Sequence, residues 1–236
     1  MNEKFSSVKT LLFDYGGTLD TNGRHWSHVL WEGYVHAGVP VTEEAFREAY
    51  VYGERYLGDH AVIEPQDDFY ALLLKKIRLE LGAIKQPLYN KERYIDQIAT
   101  YCNTYVLRNL MKTRTLLSEL KQHYTLGLVS NFYGNLSAVL KAYGLDDCFQ
   151  VVIESAVVGY RKPDSTIYAL GVMKTGGDVS ETVVIGDSFG KDILPARLLG
   201  CRTIWLKGES WKPEQNDESL PDAVITDLSG LRDLLV

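Results

Sequence analysis

The stretch Val8-Lys9-Thr10-Leu11-Leu12-Phe13-Asp14-Tyr15-Gly16-Gly17-Thr18-Leu19-Asp20 decides the fold. Its first six residues are mostly apolar and rich in β-formers, which reads as a buried strand, and Gly16-Gly17 ends it abruptly. Asp14 therefore stands at a strand's carboxyl end. Ligands bind along that edge in an open α/β sheet, so a carboxylate there is placed to act as nucleophile or metal ligand, or simply to shape an acidic turn.

Working outward, residues 26–110 are helical in character. Apolar residues recur at three- and four-residue intervals from Trp26 to Ala37, Thr42 to Leu57, Asp67 to Leu81 and Lys91 to Leu110, with breaks at Gly38-Val39-Pro40, Gly58-Asp59 and Gln86-Pro87. Thr42 followed by Glu43 and Glu44 marks a helix start. Farther on, strands alternate with helices. Thr125 to Ser130, Gln150 to Ile153, Thr182 to Gly186, Thr203 to Leu206 and Ala223 to Ile225 read as strands. The helices between them are expected at Thr115 to His123, Leu136 to Tyr143, Ser165 to Lys174 and Ile193 to Leu199.

This alternation predicts an α/β fold, a Rossmann-like doubly wound parallel sheet completed by the strand at Val8 to Phe13. The helical block is then an insertion between the first and second strands, set over the carboxyl edge. The expected organisation is a core of residues 1–21 and 111–236 and an α-helical cap of residues 22–110, with a polar loop from Lys212 to Leu220.

Composition narrows the function classes. The chain has 236 residues, 45% of them hydrophobic, enough for a substantial core. A formal charge of −6 and the lack of a basic block argue against general affinity for nucleic acid or an anionic membrane surface. No apolar run reaches the roughly 18 residues of a membrane span, and Met1 to Phe5 has no signal-peptide character, so a cytoplasmic protein is expected. Cys102, Cys148 and Cys201 are widely spaced and read as reduced, mostly buried thiols. Oligomeric state has no signature in the sequence.

Three further segments fall at or near strand carboxyl ends: Val129-Ser130-Asn131, Gly159-Tyr160-Arg161-Lys162-Pro163-Asp164, and Gly186-Asp187-Ser188-Phe189-Gly190-Lys191-Asp192. Taken singly, a Ser-Asn cap, a lysine before proline and an acidic turn are ordinary. With Asp14 they resemble, in order and character, the four motifs of the haloacid dehalogenase (HAD) superfamily of hydrolases. The resemblance covers residues 8–21 and about 113–207, and the helical insertion is similar in position to the cap of one large subgroup.

The resemblance implies a Mg²⁺-dependent hydrolase acting on a small phosphorylated metabolite. Asp14 would attack phosphorus and become an aspartyl-phosphate, splitting hydrolysis into two displacements. Ser130 would donate to a phosphoryl oxygen, assisted by Asn131, and Lys162 would set an ammonium against both nucleophile and phosphoryl group. Asp14, Asp187 and the backbone carbonyl of residue 16 would bind the metal, with Asp192 holding metal-bound water or orienting Lys162. Thr18 would donate to a phosphoryl oxygen or hold the turn. Arg161 would meet a substrate anion or be an exposed loop arginine.

Gly16 departs from the pattern. The superfamily's phosphatases have a second aspartate there, which protonates the leaving alcohol and then activates water; such general acid–base catalysis contributes typically about a hundred- to ten-thousand-fold. One reading is a surrogate from Asp20, His25 or His28, with His25 the best motivated because imidazole titrates near neutrality. Another is a substrate with a good leaving group, such as an acyl phosphate. A third is a phosphonatase-like hydrolase, whose relatives lack this aspartate and use a cap lysine as a Schiff base; Lys75, Lys76 and Lys85 are cap lysines, none singled out by sequence. The family's dehalogenases also lack it but use no metal, against which Asp187 and Asp192 argue. The remaining reading is a phosphate-ligand binding protein with weak or no turnover. Tyr34, Tyr52, Arg55 and Tyr56 are cap residues that either face the pocket or, as aromatic packing favours, fill the bundle.

Overall fold

The computed structural model describes residues 3–209 and 215–236. Strand β1 (Thr10–Phe13) is followed by four helices, α1 (Trp26–His36), α2 (Glu43–Asp59), α3 (Phe69–Ala83) and α4 (Lys91–Leu120). There follow β2 (Thr125–Ser130), α5 (Leu136–Ala142), β3 (Val151–Glu154), α6 (Ser155–Val158) and α7 (Thr166–Thr175). The chain closes with β4 (Thr182–Gly186), α8 (Leu194–Leu199), β5 (Arg202–Leu206), β6 (Ala223–Ile225) and α9 (Leu231–Leu235). The expected polar loop from Lys212 lies partly outside the described residues.

All six strands are parallel, in the order β3-β2-β1-β4-β5-β6. The direction of winding reverses beside β1, so Asp14 stands at the switch point where doubly wound sheets bind ligands. Register aligns the motifs: Phe13 pairs with Leu128 on one side and Ile185 on the other, so Asp14, Ser130 and Asp187 leave the sheet within one residue of the same level.

Side-chain alternation along the strands builds a core on each face of the sheet. Leu12, Val129 and Val184 point to the side covered by Ile167 and Val172 of α7 and Ala196 of α8. Leu11, Phe13, Leu128 and Ile185 pack on the other side, with Leu116, Leu117 and Leu120 of α4 and Leu136 and Val139 of α5. That second cluster continues without a break into the cap through Ile98, Cys102 and Val106 of α4. Cap helices start where side chains satisfy their first N–H groups: Thr42 accepts from Ala45 N–H and Asp68 from Ala71 N–H.

One helical expectation is corrected. The separate helices at Lys91 to Leu110 and Thr115 to His123 are a single 30-residue helix, α4. No glycine or proline interrupts Met111-Lys112-Thr113-Arg114, and Leu110, Thr113, Leu116, Leu117 and Leu120 keep the buried stripe in phase. The boundary drawn between residues 110 and 111 therefore falls inside a continuous helix. Helices α6 and α9, each five residues or fewer, are too short to carry a periodic signal. All three cysteines are free and buried, and no helix among the described residues is long and apolar enough to cross a membrane.

Candidate active site

A cavity of about 450 Å³ lies between the carboxyl edge of the sheet and the cap. Its floor begins with Asp14, whose backbone N–H donates to Ile185 O at 2.9 Å and so extends the β1–β4 ladder by one residue. The turn that follows needs Gly17: its φ is +92°, and a Cβ there would lie 2.5 Å from Asp187 Oδ2. Gly16 is under no such demand. Its φ of −75° and ψ of 118° suit any residue, and a Cβ would meet nothing within 4 Å.

Lys162 is buried at the centre of the floor and donates to Asp14 Oδ1 at 2.6 Å and Asp192 Oδ1 at 2.8 Å. Burial opposes its charge, but Asp14 and Asp192 outweigh that and hold its pKa above the usual lysine value. Ser130 Oγ donates to Asp14 Oδ1 at a long 3.4 Å. Asp192 is fixed from three sides: besides Lys162, Tyr168 OH donates to Oδ1 at 2.7 Å and Ser188 N–H to Oδ2 at 2.9 Å.

Oxygen atoms of Asp14, Asp187 and Asp192 lie within 4.8 Å of one another. Three carboxylates against one ammonium leave two uncompensated negative charges when all are ionised. Burial, opposed by Lys162, raises the Asp14 pKa, and burial, Asp14 and Asp192 push Asp187 well up. A largely buried all-oxygen donor set carrying that excess charge fits a hard divalent cation.

Two residues expected to contact substrate have other partners. Thr18 is fully buried behind the floor and does not line the cavity; its hydroxyl sits 3.0 Å from Asp187 Oδ1 and accepts from Asp187 N–H at 3.0 Å, which holds the turn. Asn131 lines the cavity, but its amide is committed to the Lys162 backbone, accepting from N–H at 2.9 Å and donating to the carbonyl at 3.1 Å. Arg161 is an exposed residue on the cavity rim.

The proton-donor candidates separate clearly. His25 lines the cavity, but its Nδ1 accepts Ser27 N–H as the α1 cap, and burial, with smaller contributions from His28 and nearby lysines, pushes its pKa down to about 4. A capping imidazole with its pKa this low is mostly neutral at neutral pH, and its remaining N–H, on Nε2, is a far weaker acid than an imidazolium, which counts against His25 as the general acid. Asp20 also lines the cavity, and burial raises its pKa to about 7. Both its oxygens are taken, by Gly17 N–H at 2.7 Å and Trp26 Nε1 at 2.9 Å. His28 does not line the cavity.

The cap side is built by residues the sequence did not single out. Tyr50 and Glu54 of α2, Leu72 and Lys76 of α3, and Tyr133 after β2 line it, whereas Tyr34, Tyr52, Arg55 and Tyr56 do not. Tyr34 is buried against Glu80, Tyr52 and Arg55 face outward, and Tyr56 stacks on His60. Among the cap lysines, Lys75 pairs with Asp67 at 2.6 Å, Lys85 is exposed, and Lys76 alone lines the cavity. Lys76 bonds Glu54 and lies 4.6 Å from the centre of the Tyr50 ring. Its place on the buried stripe Phe69-Leu72-Leu73-Lys76-Ile77-Glu80-Leu81 is the signal that marks it.

The sheet order, the acidic cluster at its switch point and the helices inserted after β1 define a Rossmann-like α/β fold with a candidate cation site under a helical roof. The chain belongs to the haloacid dehalogenase-like hydrolases, whose family profile matches residues 8–200. A glyceraldehyde 3-phosphate phosphatase from Methanothermobacter thermautotrophicus is 27% identical over 243 residues, covering 97% of this chain and all of the relative. A dehalogenase solved with an intermediate complex shares the fold at a TM-score of 0.67 and 19% identity, with 97% of both chains covered. The magnesium-bound HAD-type protein YfnB from Bacillus subtilis does so at 0.59 and 20%, covering 97% of this chain and 98% of that one.

Proposed function

We propose that the protein is a Mg²⁺-dependent phosphatase of small phosphorylated metabolites, working through an aspartyl-phosphate on Asp14 with low-to-moderate turnover. The observation that carries this reading is the buried Lys162 ammonium 2.6 Å from Asp14 at the cavity floor, with Asp187 and Asp192 completing an oxygen cluster for a cation. The relative over the full length, a phosphatase of a three-carbon phosphate by name, supports a small substrate. In the first displacement an Asp14 oxygen bonds phosphorus as the ester P–O bond breaks, and in the second water takes the phosphoryl group. Lys162 offsets charge on the phosphoryl oxygens, and Ser130 orients them. Asp14, Asp187 and the Gly16 carbonyl would hold Mg²⁺, with Asp192 holding its water or orienting Lys162, and the ion would supply electrophilic charge neutralisation.

Gly16 brings no carboxylate to the leaving oxygen, which favours esters of acidic alcohols and acyl phosphates. It also keeps a second reading in play, a phosphate-ligand binding protein with weak turnover. The phosphonatase alternative loses support at Lys76. Burial opposes its charge but Glu54 holds its pKa well above the usual lysine value, whereas Schiff-base formation needs a neutral amine. The test is hydrolysis of an aryl phosphate and an acyl phosphate with Mg²⁺, expected in the wild type and abolished in Asp14→Asn. Metal-dependent phosphate binding without turnover of either substrate refutes the enzyme reading and leaves the binding protein.

A further inference from the structure

Lys76 is an expensive residue to place where it is. It occupies a leucine-like position on the buried stripe of α3, only 5% exposed, and a buried ammonium is tolerated only when it is paired and hydrogen-bonded. Glu54 accepts one of its three N–H bonds and the Tyr50 ring face lies beneath it. No other acceptor within hydrogen-bonding distance is found among the described residues, and Lys76 lines the cavity. Glu54 is itself committed, since its second oxygen accepts from Tyr133 OH at 3.3 Å. The cap side thus holds an ammonium with donors to spare, fixed in place by a carboxylate and two tyrosines.

Charge around the cavity sorts by position. The floor carries three carboxylates and Lys162, an excess of negative charge matched to a divalent cation. Among the other lining residues, Lys76, Arg161 and Lys191 are met by Glu54 and by Asp20, whose pKa burial raises to about 7, while Lys207 pairs with Glu218 and Glu209 with Arg24 at 3.2 Å. His25 also lines the cavity, and burial lowers its pKa to about 4, so it adds little positive charge there. A ligand whose phosphoryl group sits on the floor therefore meets net positive charge at its other end.

We propose that Lys76 is the centre of a second anion subsite, and that the substrate is a small phosphate ester carrying a further acidic group, a carboxylate or a second phosphate, which Lys76 binds in the cap while Glu54 and Tyr50 hold the ammonium in place. This rests on the phosphatase reading for the identity of the floor. Arg161 and Lys191 on the open side draw the second anion in, and Lys76 selects it.

Binding separates the two ideas because it does not require turnover. Three series of non-hydrolysable ligands of increasing chain length are titrated into the Mg²⁺-loaded protein by calorimetry: alkylphosphonates, ω-carboxyalkylphosphonates and α,ω-bisphosphonates. At one chain length the second acid group is expected to tighten binding at least tenfold over the methyl-ended ligand, and the tighter of the two acidic series identifies the group. Lys76→Met is expected to abolish that preference and Lys76→Arg to retain it, which distinguishes loss of the charge from loss of the fold. Alkylphosphonates that bind with no gain from a second acid group at any length, or a preference that survives in Lys76→Met, refute the subsite and leave the phosphatase reading standing. If no member of any series binds, the phosphoryl site fails and the subsite fails with it.

Discussion

On the proposed phosphatase reading, replacing Gly16 with aspartate should raise the rate of ester hydrolysis. The backbone already has the required shape, with φ −75° and ψ 118°, and a new Cβ would touch nothing within 4 Å, so the substitution introduces neither strain nor overlap. Restricting the unfolded chain should even add about 0.4–1 kcal/mol of stability, set against repulsion from Asp14 and Asp187 that a bound cation offsets. The gain in rate follows from what general acid catalysis contributes, about 10²- to 10⁴-fold, which is roughly 2.7 to 5.5 kcal/mol of barrier. It should appear selectively. Alkyl phosphates, whose leaving alkoxide needs a proton, should approach the full gain, while aryl and acyl phosphates should change less than about threefold because their leaving groups need little protonation. The assay is phosphate release from a matched alkyl and aryl pair at saturating Mg²⁺ for both proteins. An unchanged alkyl-to-aryl ratio refutes the reasoning and transfers the acid role to a group already present.

Other consequences are testable with the same material. Gly17→Ala puts a β-carbon 2.5 Å from Asp187 Oδ2 at a φ of +92°; it should cost about 1–3 kcal/mol in urea unfolding and raise the Mg²⁺ needed for activity, and unchanged metal dependence would count against Asp187 as a ligand. Magnesium at a hundred times its Kd should stabilise the wild type by about 2.7 kcal/mol, and Asp187→Asn should abolish most of that; equal stabilisation of both proteins would place the metal elsewhere. Glu80 is fully buried, one of its oxygens lacks a partner, and burial raises its pKa from 4.5 to about 7. The folded protein therefore holds this proton more tightly than the unfolded chain, and stability is lost as pH rises from about 4.5 through 7. Glu80→Gln should gain on the order of 3 kcal/mol over wild type at pH 8 relative to pH 5; an advantage equal at both pH values would contradict a protonated Glu80.

The sheet was readable because its strands are continuous apolar runs with polar ends. Thr125–Ser130, Thr182–Gly186 and Ala223–Ile225 have the bounds their composition predicts. Strand ends also made Asp14, Ser130 and Asp187 legible, since parallel register brings neighbouring carboxyl ends to one level wherever the helices pack. The long helix has no break to read at Met111 to Arg114: the two helical patterns on either side join because nothing in those residues stops a helix. What stayed hidden depends on tertiary aim. Tyr168, which holds Asp192, is one tyrosine among fifteen, and only the packing of α7 turns its hydroxyl toward the floor. Lys76 and Glu80 were within reach: two charged residues on an apolar stripe are anomalies of period, visible without coordinates.

The unbroken α4 gives the cap a phase. Because one helix carries the roof on its first half and packs against the sheet with its second, residues cannot be added between them without turning one against the other. Each inserted residue rotates the downstream part by about 100° and advances it about 1.5 Å. A single insertion near Lys112 would swing the roof away from Asp14, whereas seven, close to two whole turns, would nearly restore its heading but raise it by about 10 Å. Alignment of roof and floor is therefore fixed by a residue count as much as by contacts, and a cap borrowed from a relative would have to be joined in helical register.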